Sequence, residues 1–214
     1  MASLEFFFDC SSPWTYLAFE RIQGIVLETG ATVLWRPILV GGVFNQVNQG
    51  LYEERGRMAR ALTGDGDEGA RRKAVYYQKD LGDWARLAGV EIGQPSVFPV
   101  NSVRAMRACF YAEQRGCLVA WARAVFETYW GRLLDISQPE VLSQVAAEVG
   151  LDPSELLSEI ETPHYKERLK ENTAELVERG GFGSPTMFVD GKDMYFGNDR
   201  LELVRAALSL SRGE

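Results

Sequence analysis

Phe6-Phe7-Phe8-Asp9-Cys10-Ser11-Ser12-Pro13-Trp14-Thr15-Tyr16 is the stretch that decides the fold, because it joins an apolar strand to a helix start through a short turn. Ser12 is predicted to be the N-cap of that helix, with Pro13 at the first helical position, where a missing N–H costs nothing. A helix N-terminus carries about half a positive elementary charge and unpaired N–H groups. Ser12 is therefore a candidate anion-binding group, and the simpler alternative is that it only caps the helix.

Regular patterns continue around this turn. Residues 4–8 predict a strand, residues 13–29 predict a helix that ends at Gly30, and residues 32–37 predict a second strand. The connections between these elements are short, which is typical of a β-α-β unit with parallel strands. The N-terminal part of the chain is therefore expected to start a parallel sheet.

The C-terminal part of the chain returns to strand patterns. Residues 186–189 and 194–196 predict two strands joined at Asp190-Gly191, a dipeptide typical of two-residue hairpins. Residues 199–211 predict a closing amphipathic helix. An antiparallel hairpin and a helix thus complete the first β-α-β unit, so both ends of the chain contribute to one α/β domain.

The middle of the chain is predicted to be helical. Residues 44–180 carry helical patterns without a convincing strand, and residues 64–69, rich in Gly and Asp, predict a mobile loop among them. The simplest architecture is a discontinuous α/β domain of residues 1–40 and 175–214, interrupted by a large all-helical insertion of residues 41–174.

Composition excludes several classes of function. The chain is 46% hydrophobic, enough for a large core, and its 23 basic and 30 acidic residues give a net charge of −7. That balance argues against a nucleic acid or an anionic membrane surface as a partner. No apolar run reaches the roughly 18 to 20 residues that span a bilayer, and no signal-peptide pattern is present, so we expect a cytoplasmic protein.

Cysteine and histidine usage limits redox and metal chemistry. Cys10, Cys109 and Cys117 are odd in number and lack CxxC spacing, which argues against a disulfide framework, a thiol redox pair or a thiolate metal site. His164 is the single histidine, so neither a histidine-based triad nor a multi-histidine metal site is expected. Cys10 is predicted to be a buried small apolar side chain.

Three turns are expected to meet in this fold: the Ser12 turn, the Ser184-Pro185 segment and the Asn198-Asp199 turn. Asn198 is predicted to cap the last helix, whose N-terminus would attract a carboxylate, while Asp199 would accept a hydrogen bond from an ammonium group. A ligand with an α-amino acid end suits that pair. Pro185 before an apolar strand suggests a constrained X-Pro bond, with the cis form as one alternative.

One ordered set of motifs runs through nearly the whole chain. It comprises Asp9 with Ser12-Pro13, residues 183–191 and residues 196–201, with further agreement in the middle at residues 41–48 and 98–102. Together these motifs resemble the 2-hydroxychromene-2-carboxylate isomerase family, which belongs with kappa-class glutathione transferases and DsbA-like thioredoxin folds. The resemblance implies a thioredoxin-like fold with a helical insertion, and glutathione bound in the cleft between them.

The resemblance also implies roles for single residues. Ser12 and Thr15 occupy the two cysteine positions of a CxxC motif, which rules out dithiol chemistry there, and Ser12 would donate a hydrogen bond to the glutathione sulfur. In the family, glutathione would be held by Ser184, Pro185, Asn198, Asp199, Asn48 and Lys73. Without the resemblance, a simpler interpretation applies to three of these residues: Asn48 is a turn residue, Lys73 is a solvated charge on a helix, and Asp199 is an acid in the first turn of a helix.

The implied activity is a glutathione-dependent cis-trans isomerisation of an unsaturated aromatic oxo acid, as in bacterial naphthalene breakdown. A thiolate adds to the conjugated carbon, the former double bond rotates, and elimination restores it. Two alternatives stay open: a kappa-like glutathione transferase or peroxidase, and a non-catalytic thioredoxin-fold binding module. An isomerase needs an aromatic-lined pocket that opens towards Ser12. A homodimer is expected by analogy.

Overall fold

The computed structural model of the protein describes residues 2–62, 64 and 67–211. Its strands are β1 (Ser3–Phe8), β2 (Thr32–Pro37), β3 (Thr186–Val189) and β4 (Asp193–Phe196). Its helices are α1 (Pro13–Thr29), α2 (Val40–Val47), α3 (Gln49–Leu62), α4 (Glu68–Ala88), α5 (Val103–Gln114), α6 (Leu118–Phe126), α7 (Pro139–Glu148), α8 (Pro153–Glu159), α9 (Pro163–Glu178) and α10 (Leu201–Leu210), with a π-helix at Glu127–Gly131 and a 3-10 turn at Asn198–Arg200.

The four strands form one mixed sheet in the order β2-β1-β3-β4. Strand β1 pairs in parallel with β2 and antiparallel with β3, so that Phe6 lies opposite Trp35 on one side and Met187 on the other. The predicted parallel β-α-β unit is therefore confirmed, and so is the α/β class. Because β1 is an inner strand, the turn that follows it lies near the middle of the sheet edge.

The three consecutive phenylalanines of β1 are buried on both faces of the sheet. Phe6 and Phe8 pack in the larger core under α1, where both rings contact Trp35. Phe7 points to the opposite face and packs in a smaller cluster, edge-on to Phe188. A strand covered on both faces needs a continuous apolar run rather than an alternating one, which explains the Phe-Phe-Phe sequence.

The C-terminal hairpin has the predicted turn. Asp190 and Gly191 both adopt positive φ values, 49° and 70°, and the N–H of Lys192 donates to the carbonyl oxygen of Val189 at 3.0 Å. Two positive φ values in succession match the twist of a hairpin and are easiest for glycine and for Asp or Asn. The turn thus places β3 and β4 antiparallel, with β3 against β1.

Between β2 and β3 the described residues form helices, in agreement with the predicted helical middle of the chain. Part of the predicted loop at residues 64–69 lies outside the described residues, at positions 65 and 66, and helix α4 begins at Glu68, where Asp67 accepts the Ala70 N–H at 2.8 Å. The proposed division at residues 40/41 and 174/175 stays a prediction. None of the described helices is long and apolar enough to cross a membrane.

Candidate functional site

Ser12 caps helix α1, as predicted. Its backbone is extended (φ −107°, ψ 122°), its hydroxyl oxygen accepts the Thr15 N–H at 3.3 Å, and Pro13 takes the first helical position. The Ser12 hydroxyl in turn donates to the carbonyl oxygen of Ser184 at 3.3 Å. Ser12 is only 5% exposed. The helix N-terminus and this hydroxyl therefore face the Ser184 loop across a short gap.

The Ser184 hydroxyl holds its loop against the β1–α1 turn by hydrogen bonds. It accepts the Asp9 N–H at 3.1 Å and shares a 2.8 Å hydrogen bond with the Thr15 hydroxyl, and all three groups are buried. The Ser184-Pro185 peptide bond is cis, the alternative considered for it. Because the side chain of Ser184 is already engaged, any contact it makes with a ligand is expected to come from its backbone.

The Asn198 turn lies directly beside this loop, because the Gly197 N–H donates to the Pro185 carbonyl oxygen at 3.1 Å. Gly197 has φ of 100°, a conformation that favours glycine. The prediction that Asn198 caps the last helix is wrong: it starts a 3-10 turn, and α10 begins only at Leu201. Asn198 is buried, and its side-chain oxygen accepts from Arg21 at 3.4 Å.

Arg21 is a residue that the motif analysis missed. It projects from α1, and its Nη1 also donates to the Asn198 backbone oxygen at 3.0 Å. Its guanidinium carbon lies 4.6 Å from the centroid of the Trp84 ring, on α4. Burial lowers the pKa of Arg21, while the nearby acids Glu202 and Asp199 oppose that change. Arg21 therefore ties the Asn198 turn to α1.

The remaining predicted ligand residues, Asp199, Asn48 and Lys73, differ in how closely they are connected to the Ser12 turn and the Ser184 loop. Asp199 is half-exposed and pairs with Arg200 at 2.6 Å. The Asn48 amide donates to the carbonyl oxygen of Phe182 at 3.1 Å, two residues before Ser184. Lys73 is exposed on α4 and pairs with Glu54 at 3.5 Å. Hydrogen bonds thus connect Ser12 to Ser184, and Pro185 to Gly197, the residue before Asn198. Lys73 contacts another helix. The ligand roles of all these residues stay predictions.

A cavity of about 360 Å³ opens beside Ser12. Its apolar walls include the aromatic rings of Phe44, on α2, and Phe98. Ser12 therefore contacts both the Ser184 loop and an aromatic-lined space. The lining comes from three segments of the described chain: Asp9, Ser11 and Ser12; Leu39, Val40, Gly41, Gly42 and Phe44; and Phe98, Pro99, Val100, Asn101, Ser102 and Val103.

Asp9 is a buried acid in the wall of this cavity, only 1% exposed. Its carboxylate accepts the Ser11 N–H at 2.9 Å and the Val40 N–H at 2.8 Å. Burial raises the pKa of Asp9, and these hydrogen bonds partly offset that effect. The sequence offered one signal for it, its place in the motif with Ser12-Pro13, but no role.

Cys10 follows Asp9 and is fully buried, as predicted. Burial, together with the neighbouring Cys109, raises the pKa of the Cys10 thiol well above its ordinary value. The Trp130 indole, in the π-helix, donates to the Cys10 carbonyl oxygen at 2.9 Å and so holds this turn from the other side. Cys10 is therefore a poor nucleophile. Across the described residues, we find no group of three or more His, Cys, Asp or Glu side chains placed to hold a metal ion.

Replacing Thr15 with Val is expected to lower the free energy of unfolding by about 1 to 2 kcal/mol, because it leaves the buried Ser184 hydroxyl without one partner. Chemical denaturation followed by circular dichroism measures this. Thr29→Val is a matched control, since the Thr29 hydroxyl bonds only within α1, to the Ile25 carbonyl oxygen. Equal losses of stability in the two variants would contradict a specific contribution of the Thr15–Ser184 hydrogen bond.

Comparison with known proteins agrees with this architecture. A family model described as a DSBA-like thioredoxin domain matches residues 3–209. The 2-hydroxychromene-2-carboxylate isomerase of Pseudomonas putida is 29% identical over 207 residues, covering 96% of this chain and 93% of that protein. The human glutathione S-transferase kappa 1 is 29% identical over 219 residues, covering 94% of this chain and 88% of that protein.

Comparison with a solved structure shows the same similarity. The structure of 2-hydroxychromene-2-carboxylate isomerase superimposes with a TM-score of 0.78 at 27% sequence identity, covering 99% of this chain and 97% of that one. The predicted resemblance and the predicted thioredoxin-like α/β fold are therefore both confirmed. The chain belongs to the DSBA-like thioredoxin domain family.

Proposed function

We propose that this chain is a glutathione-dependent cis-trans isomerase of the 2-hydroxychromene-2-carboxylate isomerase type, acting on unsaturated aromatic oxo acids in aromatic catabolism. One observation carries the proposal. Ser12 contacts the Ser184 loop through its hydroxyl and also lines the aromatic-walled cavity. A group bound at Ser12 would therefore meet a second molecule held in the cavity.

The residues on the Ser184 side fit glutathione. As a donor, the Ser12 hydroxyl makes a long hydrogen bond of 3.3 Å to the Ser184 carbonyl oxygen. It can therefore turn to donate to a sulfur atom instead. A free thiol has a pKa of about 8.5, and a helix N-terminus lowers it. The Asp199 carboxylate is 49% exposed beside the Pro185 loop, where it suits the α-amino group of a γ-glutamyl end.

When bound, glutathione supplies a thiolate that adds reversibly to the conjugated carbon and lets the former double bond rotate. Ser12 would hold the sulfur in its ionised form by a hydrogen bond, helped by the α1 N-terminus. Phe44 and Phe98 would hold the aromatic ring of the substrate and exclude water. The Thr15–Ser184 bond would keep the two sides of the site in register, so that the reacting atoms stay close.

A kappa-like transferase is the second candidate, because the human kappa relative has the same 29% identity as the isomerase of Pseudomonas putida. The same thiolate at Ser12 would then conjugate an electrophile or reduce a peroxide. The residues on the Ser184 side would serve both reactions alike, so the difference is expected to depend on what the cavity admits. A binding module without catalysis would have no need for a cavity at Ser12.

The deciding experiment follows 2-hydroxychromene-2-carboxylate by absorbance, with purified protein, with and without glutathione. Isomerisation that requires both protein and glutathione would support the isomerase. Conjugation of 1-chloro-2,4-dinitrobenzene with no isomerisation would favour the transferase instead. If glutathione accelerates neither reaction, nor the reduction of cumene hydroperoxide, both enzyme proposals are wrong.

We also propose a homodimer in the cytoplasm. The free thiols of Cys10, Cys109 and Cys117 and the need for reduced glutathione both suit a reducing compartment. Helix α4 exposes the apolar side chains of Val75 and Tyr76, which a partner subunit could cover. Light scattering coupled to size-exclusion chromatography measures the oligomeric state, and a monomeric mass would contradict the dimer.

A further inference from the structure

The buried carboxylate of Asp9 is surrounded by donors. The N–H groups of Ser11 and Val40 donate to it at 2.9 and 2.8 Å, and the nearby Ser102 side chain lowers its pKa. A carboxylate accepts hydrogen bonds only, whereas its protonated form would need an acceptor for its own proton. The two backbone donors therefore favour the ionised form, against the effect of burial.

Each of these three neighbours lies at the start of a different helix. Ser11 precedes the cap of α1, Val40 is the first residue of α2, and Ser102 is the N-cap residue of α5. All three segments line the cavity beside Ser12. One side chain thus connects three walls of the cavity, and its charge is favourable there because helix N-termini are positive.

We propose that Asp9 is a positioning residue for the electrophile pocket, holding the starts of α1, α2 and α5 around the second substrate. This inference rests on the proposed function. The Asp9 carboxylate accepts the N–H of Ser11, the residue before Ser12, so its negative charge opposes a second anion at Ser12. A less acidic thiol gives a more nucleophilic thiolate, so Asp9 would moderate the effect of the α1 dipole on the sulfur. The charge of Asp9 also contributes to raising the pKa values of Cys10 and Tyr129.

The test is Asp9→Asn, which keeps the shape and removes the charge. The affinity for glutathione, measured by calorimetry at a pH well below the pKa of the bound thiol, should change less than about twofold, since its predicted ligands lie on the Ser184 side. The pKa of the bound thiol, measured from thiolate absorbance, should fall by about one pH unit. The KM for the chromene carboxylate should rise about tenfold or more, because the pocket walls lose their common partner. A fall in thiol pKa is not expected from a purely structural change.

Ser102→Ala is a milder variant in case Asp9→Asn folds poorly. It truncates the α5 neighbour of Asp9 and keeps the carboxylate, so the KM for the chromene carboxylate should rise while the thiol pKa stays unchanged. Glu5→Gln is the matched control: it removes a carboxylate from β1, four residues before Asp9 and about 13 Å away, where Arg179 is its partner. It should leave both quantities unchanged.

The outcomes separate the two proposals. If the wild-type chain neither binds glutathione nor turns over the chromene carboxylate, the proposed function fails. If the wild type is active but Asp9→Asn and Ser102→Ala both retain the wild-type KM, the role of Asp9 in positioning is wrong. If Asp9→Asn leaves the thiol pKa unchanged, or Glu5→Gln shifts it equally, the charge effect is wrong.

Discussion

Ser12→Ala is expected to slow glutathione-dependent isomerisation by about a hundredfold and to raise the pKa of the bound glutathione thiol. The reason is that the variant removes the side-chain donor that caps α1, and loss of one donor to a developing anion typically costs about a hundredfold or more in rate. Initial rates give the first quantity. Ultraviolet absorbance of the thiolate across a pH series gives the second.

The same substitution also removes a helix cap, which costs about 1 kcal/mol of stability by itself. Asp152→Ala is a matched control, because Asp152 caps α8 by accepting the Glu155 N–H at 2.8 Å and lies outside the cavity lining. It should lose similar stability and keep the wild-type rate. An unchanged pH profile in Ser12→Ala would remove Ser12 from its proposed role.

Asp199→Asn is expected to weaken glutathione binding by about ten- to a hundredfold, with little change in the rate at saturating glutathione. A hydrogen bond between a carboxylate and an ammonium is stronger than a neutral one, and this substitution removes the charge while keeping the shape. The Arg200 partner would then lose its ion pair as well. Calorimetry measures the affinity, and kinetics at varied glutathione separates KM from kcat.

Glu202→Gln is the control for this second prediction. Glu202 lies one turn further along the same segment, is exposed, and pairs with Arg205 at 3.2 Å. Both variants remove one negative charge from the same end of α10, so a general electrostatic effect would appear in both. Equal affinities in Asp199→Asn and Glu202→Gln would exclude a specific contact between Asp199 and the ligand.

Local sequence patterns predicted the sheet well, because each pattern depends on neighbours along the chain. The bounds of α1 follow from Pro13 at its start and Gly30 at its end, and the hairpin follows from Asp190-Gly191. The cap role of Asn198 failed for a reason that no local pattern contains. Arg21, 177 residues away, takes the Asn198 side-chain oxygen and backbone oxygen.

The site depends on such distant contacts throughout. Thr15 reads as an ordinary helix residue until Ser184, 169 residues later, is placed against its hydroxyl. The proposed role of Asp9 depends on Val40 and Ser102, which α2 and α5 place beside its carboxylate. The motifs therefore indicated which turns matter, and the tertiary structure was needed to find the residues that hold those turns together.

The central position of β1 has a consequence for how the chain is made. Synthesis delivers β1 early, but its antiparallel neighbour β3 lies about 180 residues later, so one edge of the Phe-Phe-Phe strand stays unpaired while the intervening helices emerge. Pairings this far apart in sequence also form slowly. A nascent chain halted before residue 186 would therefore carry an open, aromatic sheet edge and an incomplete site, a stage at which the chain is prone to aggregate.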